Sequence, residues 1–312
     1  MTVQASDSIR EIQSARVLQL GIDGGGSGSR FVLYNPEAGA HYEFSGPALQ
    51  AKQHKPKELS RRIKKALRPI LPSEYWTRLR HVTIGLAGGS SGRDAIIPHI
   101  KRHFPQARIA LFSDAEACFA AHFAGRESSN AALLMCGTGS VLVYEEYARL
   151  HYLGGYGPDV FEPCAGRQIG RDFLSLLTRM HDTGAVPPSF EAHGCAPSGR
   201  AALLDLIYNT PGSPACFAPV CAALAEEGDS GCCSLMDNHF SAAARLVEPF
   251  AERRPQSPAI GLYGGLMKSP YIREKLKNHL QKSFNDAYIF YASADVARFL
   301  SEQAQTGSSL IA

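Results

Sequence analysis

Residues 17–22 form a short apolar run that leads straight into an aspartate and three glycines, Asp23 to Gly26. A run of this length bounded by glycines predicts a buried β-strand. Apolar runs at 30–34 and 42–44 follow, so the spacing predicts a hairpin with a Gly/Ser-rich corner and a third strand beside it. Over 57–70 the period changes. Leu59, Ile63, Ala66, Leu67 and Ile70 recur every three or four residues, which predicts an amphipathic helix that Pro69 and Pro72 help to end. Its basic residues, Arg61, Arg62, Lys64, Lys65 and Arg68, occupy the solvated face. A strand at 81–86, a helix beyond Gly92, a strand at 108–112 and a helix at 114–123 complete this stretch.

The plan then recurs. Strands at 131–136 and 141–145 flank a second glycine corner, with a short strand at 151–153. A helix at 166–181, several more within 201–250, a strand at 260–263, a helix at 271–280, a strand at 287–291 and a helix at 294–301 follow. Two glycine-cornered hairpins, each opening a strand-and-helix region, predict a duplicated, two-lobed α/β fold with mixed sheets covered by helices.

Composition narrows the functional classes. With 312 residues, 45% apolar and 20% charged, the chain has the make-up of a soluble globular protein and room for two domains. A net charge of +3 gives no argument for nucleic acid or an anionic membrane surface as partner. No apolar run approaches the ~20 residues of a membrane helix, and residues 1–16 are too polar for a signal peptide. The 8 cysteines contain no C-x-x-C pair, which predicts reduced thiols in a cytoplasmic protein rather than disulfides or zinc. His99 and His103 have metal-ligand spacing, but Lys101 and Arg102 between them predict a solvated helix face.

The chemistry concentrates at the corners. In Asp23-Gly24-Gly25-Gly26-Ser27 the missing Cβ atoms let backbone N–H groups approach a phosphate closely, and Asp23 at a strand end can hold Mg²⁺ through water. The spacing matches neither a P-loop nor a dinucleotide fingerprint, and a plain hairpin corner is the alternative. Gly137-Thr138-Gly139-Ser140 repeats this context. Gly264 and Gly265 close a late strand before a helix, where glycines admit a flat group such as adenine or simply form a tight corner. Asp114, at a strand end and helix start, either helps to cap the helix together with Ser113 or accepts the proton of an attacking hydroxyl. The loop from Gly154 to Glu162 either shapes a binding cleft or joins two regions.

Taken in order, these segments resemble the N-acetylglucosamine kinase and BadF/BadG/BcrA/BcrD-type ATPase family, within the superfamily of sugar kinases, heat-shock ATPases and actin. The resemblance spans about 17–300. Leu20 to Ser27 is similar to the first phosphate motif, Ile84 to Gly88 to the G-L-A-G strand end, and Ser113-Asp114-Ala115 to the segment of the catalytic aspartate. Cys136 to Ser140 is similar to the second phosphate motif, Gly154 to Pro158 to the G-G-W-G-P loop, and Leu262 to Leu266 to the adenosine motif. The resemblance implies an actin-like ATPase (ribonuclease H-like) fold with lobes at 17–115 and 116–292, a last helix at 293–305 packing back on the first lobe, and closure of the lobes on the substrates. It implies ATP and Mg²⁺ as cofactors and a small amino sugar, of the N-acetylglucosamine or glucosamine type, as acceptor. Asp114 would be the catalytic base, with Asp114, Thr138, Gly155 and Glu162 toward the sugar, and a homodimer is left open.

The departures fall on the sugar side. Where the family carries G-D-E-G-S, this chain has Phe161-Glu162-Pro163-Cys164-Ala165. The aspartate that would bind sugar hydroxyls is Glu162, and the neighbouring glutamate is Pro163. An asparagine expected after Gly46-Pro47 is absent, Ala48-Leu49-Gln50 standing there, which favours the glucosamine-kinase-like branch. Two other functions share the fold. One is a partner-activating ATPase with an iron–sulfur cluster, for which Cys136 is the one suitably placed cysteine. The other is a nucleotide-binding protein with no catalysis.

Overall fold

The apolar run after residue 17 becomes the central strand of a sheet because nearly every residue of it is covered: in β1 (Leu18–Gly24) only Asp23 keeps appreciable exposure. The structure, a computed structural model, describes residues 10–89, 92–124, 128–157, 160, 162–254 and 257–303. β2 (Ser29–Asn35) and β3 (Ala40–Gly46) run antiparallel to form a meander with β1, and β4 (Leu79–Leu86) and β5 (Arg108–Ser113) lie parallel on its other side. The order is β3-β2-β1-β4-β5. Helices α1 (Pro56–Leu67) and α2 (Arg93–Lys101) make the crossovers that parallel strands require, and α3 (Asp114–Phe123) follows β5 without a loop.

The second sheet repeats the plan with β6 (Ala131–Cys136), β7 (Ser140–Glu146), β8 (Arg149–Gly154), β9 (Ala259–Tyr263) and β10 (Tyr288–Tyr291), in the order β8-β7-β6-β9-β10. Again the first three strands are antiparallel and the other pairings parallel. The duplicated α/β architecture is therefore what the hydrophobic pattern predicts. The third strands run longer than their apolar residues suggest. β3 and β8 are edge strands without a single buried residue, so polar residues mark their ends. Between β8 and β9 lie α4 (Gly166–Asp182), the short α5 (Ser189–Ala192), α6 (Arg200–Asn209), α7 (Ala218–Glu226) and α8 (Ser230–Ala251); α9 (Pro270–Ser283) joins β9 to β10.

The described residues divide into two compact units, 10–124 with 293–303, and 128–292. Each has its own core: Leu20, Phe31 and Phe104 are fully buried in the first, Phe173, Phe240 and Phe250 in the second. The last helix, α10 (Val296–Glu302), belongs to the first unit and crosses β1 at Gly21. A Cβ on Gly21 would collide with the Ala297 carbonyl oxygen and the Ser301 amide, so glycine is what lets helix backbone rest on strand backbone. Polar ties fix it there: His122 Nε2 accepts from the Ala294 N–H at 2.9 Å, Asp295 caps the helix at 3.1 Å, and His41 meets Glu302 at 2.8 Å. Positions 304 and 305 of the expected helix lie outside the described residues.

Gly21→Val is expected to cost about 3 kcal/mol, because neither backbone can yield to the added carbons. Gly39→Ala, at φ +65° with nothing within 4 Å of the added carbon, should cost only about 1 kcal/mol. Urea unfolding of the two variants checks this, and equal losses would refute the packing role of Gly21.

Candidate active site

β1, β4 and β5 are parallel, so their carboxyl ends share one edge of the first sheet, the edge on which α/β proteins place ligands. Asp23 stands there opposite Gly85, and Ser113 opposite Leu86. Gly85 is needed because a Cβ would lie 2.6 Å from that of Ala117, so its absence lets α3 pack down on β4. Ser113, not Asp114, caps α3. It forms a capping box in which its Oγ accepts from the Glu116 N–H at 3.0 Å and Glu116 accepts from the Ser113 N–H at 2.6 Å. The half-buried Asp114 carboxylate accepts from the Ala115 N–H at 3.0 Å and also from its own N–H.

Both aspartates resist ionisation, and the charge of Asp114 acts on Asp23. Burial, then the charge of Asp114, pushes the Asp23 carboxyl up from 3.8 to about 6, with Asp295 adding to the shift and Arg30 opposing it. Asp114 is also raised, chiefly by burial and also by Glu116, although backbone N–H groups pull the other way. A helix start alone would lower it; loss of water wins. Arg30 and Asp295 are the members of this cluster that sequence reasoning missed. They meet at 3.0 Å across a separation of 265 residues, and no local pattern marks either one.

The first glycine corner closes with Gly25 N–H donating to the Gly28 carbonyl at 2.9 Å. Segment 47–51, where the asparagine is absent, braces it. Leu49 N–H donates to Gly25 and Ala51 N–H to Ala87, while Ala87 N–H donates to Gly24. Gly26 and the exposed Ser27 form the tip.

In the second unit the corresponding corner, Gly137 to Gly139, is fastened to the start of α4. Gly166 N–H donates to the Gly137 carbonyl at 2.8 Å and Arg167 N–H to Thr138 at 3.1 Å, which satisfies N–H groups that a helix start leaves unpaired. Glu162, expected on the sugar, is only 5% exposed and turned toward backbone. Its Oε1 accepts from Gly157 N–H at 2.8 Å and its Oε2 from Ser140 N–H at 3.3 Å, while Ser140 Oγ donates to Pro163 O at 2.5 Å. Gly139 makes room, since a Cβ there would lie 2.6 Å from Oε2. Glu162 thus pins the 154–157 loop to the glycine corner. Gly154, Gly155 and Gly157 all have positive φ; Pro158 and Phe161 lie outside the described residues. Cys164, where the resembled family has glycine, keeps φ +58°, a left-handed conformation that glycine adopts without strain. Gly264, at φ +116°, rests on the Cys136 carbonyl, which a Cβ would strike, and brings the Gly264-Gly265 corner beside the Gly137 turn.

Cys136 is fully buried and its thiol is pushed up to about 12 by burial, the opposite of a metal-binding thiolate. Among the described residues no group of three or more His, Cys, Asp and Glu side chains is placed to hold a metal, and no helix is long and apolar enough to cross a membrane.

No protein-family profile matches the sequence, and no curated protein matches it. Solved structures do. The chain superposes with TM-score 0.73 on a candidate N-acetylglucosamine kinase of Chromobacterium violaceum at 18% identity, over 94% of this chain and 100% of that one. A candidate N-acetylglucosamine kinase of Porphyromonas gingivalis gives 0.70 at 17%, over 89% and 95%. A ROK-family glucokinase of Streptomyces griseus, solved with glucose and AMPPNP, gives 0.57 at 14%, over 91% and 99%. The chain has the fold of the actin-like ATPase sugar kinases.

Two outcomes follow from the carboxylates. The raised Asp23 favours its protonated form, so its penalty on the folded state is absent below about pH 4 and complete above about pH 6. Without nucleotide or metal, Asp23→Asn should stabilise the protein by about 2 kcal/mol at pH 8, a discounted value for a two-unit shift, and by nothing at pH 4. Thermal melts at both pH values read this, and a gain independent of pH would contradict it. Glu162→Gln replaces one acceptor by a donor facing a backbone N–H and should cost about 2 kcal/mol in urea unfolding; a loss below 0.5 kcal/mol would contradict the pinning role.

Proposed function

We propose that the protein is an ATP-dependent kinase that phosphorylates a small amino sugar. The observation that carries this reading is the Asp23–Asp114 pair at the carboxyl edge of a sheet whose plan is duplicated, with a glycine corner at the head of each copy. The sugar-kinase fold of the superposed structures supports it.

The roles follow from the surroundings of each residue. The corners at Gly24, Gly25, Gly26 and Ser27 and at Gly137, Thr138, Gly139 and Ser140 would cradle nucleotide phosphates with backbone N–H groups, and Gly264 and Gly265 would face the adenosine. Two carboxylates raised chiefly by burial, Asp23 also by the charge of Asp114 and with Arg30 opposing, suit a hard dication. Asp23 would hold Mg²⁺ through water; when bound, the ion neutralises charge on the β- and γ-phosphate oxygens. Asp114 would orient the acceptor hydroxyl and take its proton as the γ-phosphoryl leaves ADP. A raised pKa improves it as a base, because proton affinity then lies nearer the working pH. Thr138, Gly155 and the loop pinned by Glu162 would shape the sugar side. With its 8 cysteines joined in no disulfide, the protein suits a reducing compartment, and we assign it to the cytoplasm.

A second reading has one observation in its favour. Both Glu162 oxygens are taken by backbone N–H groups, so a nucleotide-binding protein without sugar turnover fits that detail.

The test is ATP consumption against glucosamine, N-acetylglucosamine, N-acetylmuramic acid and glucose with Mg²⁺. At least one sugar should give a phosphorylated product, and Asp114→Asn should lower kcat by about 10²–10⁴-fold, the usual contribution of a positioned base. In the wild type the acid limb of kcat should lie above the ordinary aspartate range. ATP binding with no sugar-dependent turnover would decide for the second reading.

A further inference from the structure

One cavity of the second unit is lined by neither glycine corner nor Asp114. It is a groove of about 570 Å³, floored by α4 and α8, a volume in the range of small-molecule sites. On α4 the residues facing it, Gln168, Asp172 and Leu176, follow one another every four positions; on α8, Leu235, Asn238 and His239 form the opposing stripe.

The chemistry of this lining is specific. Asp172 Oδ2 accepts from His239 Nε2 at 3.0 Å and Oδ1 from Gln168 Nε2 at 3.4 Å. The imidazole hydrogen bond holds the Asp172 carboxyl below the ordinary aspartate range, so it stays an acceptor with its orientation fixed. Its side chain is still 42% exposed, and a carboxylate offers about four lone-pair directions, of which two are used. Asn238 adds an exposed amide able to donate and accept. Leu176 and Leu235 supply apolar surface beside these groups. One guanidinium, Arg179, lies among the lining residues and already donates to Ser175 Oγ at 3.0 Å, so the single cation is offset by Asp172. A phosphate or nucleotide would find no excess positive charge.

We infer that this groove is a second carbohydrate site, taking a neutral pyranose. Vicinal hydroxyls bind the Asp172 carboxylate and the Asn238 amide, and the C–H face of the ring lies on Leu176 and Leu235. The inference rests on the lining alone and not on the kinase reading. It also has a route to the glycine corner. Glu162 and Pro163 line the groove, and Cys164 Sγ donates to the His239 carbonyl at 3.4 Å. A ligand in the groove therefore touches the residues that pin Ser140 and Gly157.

Calorimetric titration of the full chain with N-acetylglucosamine and with glucose, in the absence of nucleotide, tests it. With at least one of these sugars the wild type should show a binding event at the groove, beside a second event if the kinase site also takes free sugar. Asp172→Ala should weaken the groove event at least tenfold and leave any other unchanged. Because Asp172→Ala also strands His239, Asn238→Ala, at an exposed helix position, is the second variant and should weaken the same event about fivefold. No binding in the wild type, or binding that neither variant alters, would overturn the proposal. Sugar-dependent ATP consumption is read separately, so failure of the kinase reading leaves this result intact.

Discussion

Two carboxylates deprived of water at strand ends on either side of β4 govern the first unit. Asp23 and Asp114 would each be stable alone at a wet surface. With α3 packed down beside Gly85 both resist ionisation, chiefly through burial, and at Asp23 Arg30 offsets only part of the cost. The surrounding structure makes this arrangement unavoidable. Parallel pairing of β1, β4 and β5 brings their carboxyl ends into line, the Ser113 capping box fixes where α3 begins, and α10 seats Asp295 nearby. Such a cluster lowers stability without a ligand and is relieved by a cation or by a proton from a hydroxyl group, which is why it reads as chemistry rather than scaffold.

Glu162 offers the contrast. It is more deeply buried than Asp23, yet both oxygens accept backbone N–H groups and no like charge faces it in the surroundings described. A carboxylate so satisfied is a fastening. Its extra methylene, relative to the aspartate of the resembled family, suits that task by letting the carboxylate reach Ser140 and Gly157 together. The cost of the altered loop appears one step further on, at Cys164, which holds a left-handed backbone with a buried side chain where glycine would adopt the same φ freely.

What the sequence made legible was local. The strand ending at Cys136 and the helix at 114–123 have the bounds their patterns predict, because apolar run, cap and glycine all lie within a few residues. The glycine corners were legible for the same reason. Gly21 was not: within the sequence it is one residue of a buried strand, and only a helix near the other end of the chain explains the missing side chain. Arg30 and Asp295 were hidden in the same way, since their relation to Asp23 exists only after the last helix has crossed β1. The groove between α4 and α8 was invisible because its stripes are polar, and polar helix positions read as solvated until two of them face each other.

The duplication itself explains why the acidic chemistry resides in one unit. The two sheets have the same strand order and equivalent hairpin corners, so their strands can be matched. Next to the final pair of the first hairpin, Gly24 with Ser29, stands Asp23; next to the final pair of the second, Cys136 with Ser140, stands Met135. Across the parallel pairing, Asp23 faces Gly85 whereas Met135 faces Tyr263. The second copy keeps the corner, which needs only backbone N–H groups and small residues, and fills with side chains the place where the first keeps an aspartate beside a glycine. A phosphate cradle can be built twice from backbone alone. A pair of desolvated carboxylates lowers stability wherever it is built, and this chain carries it once.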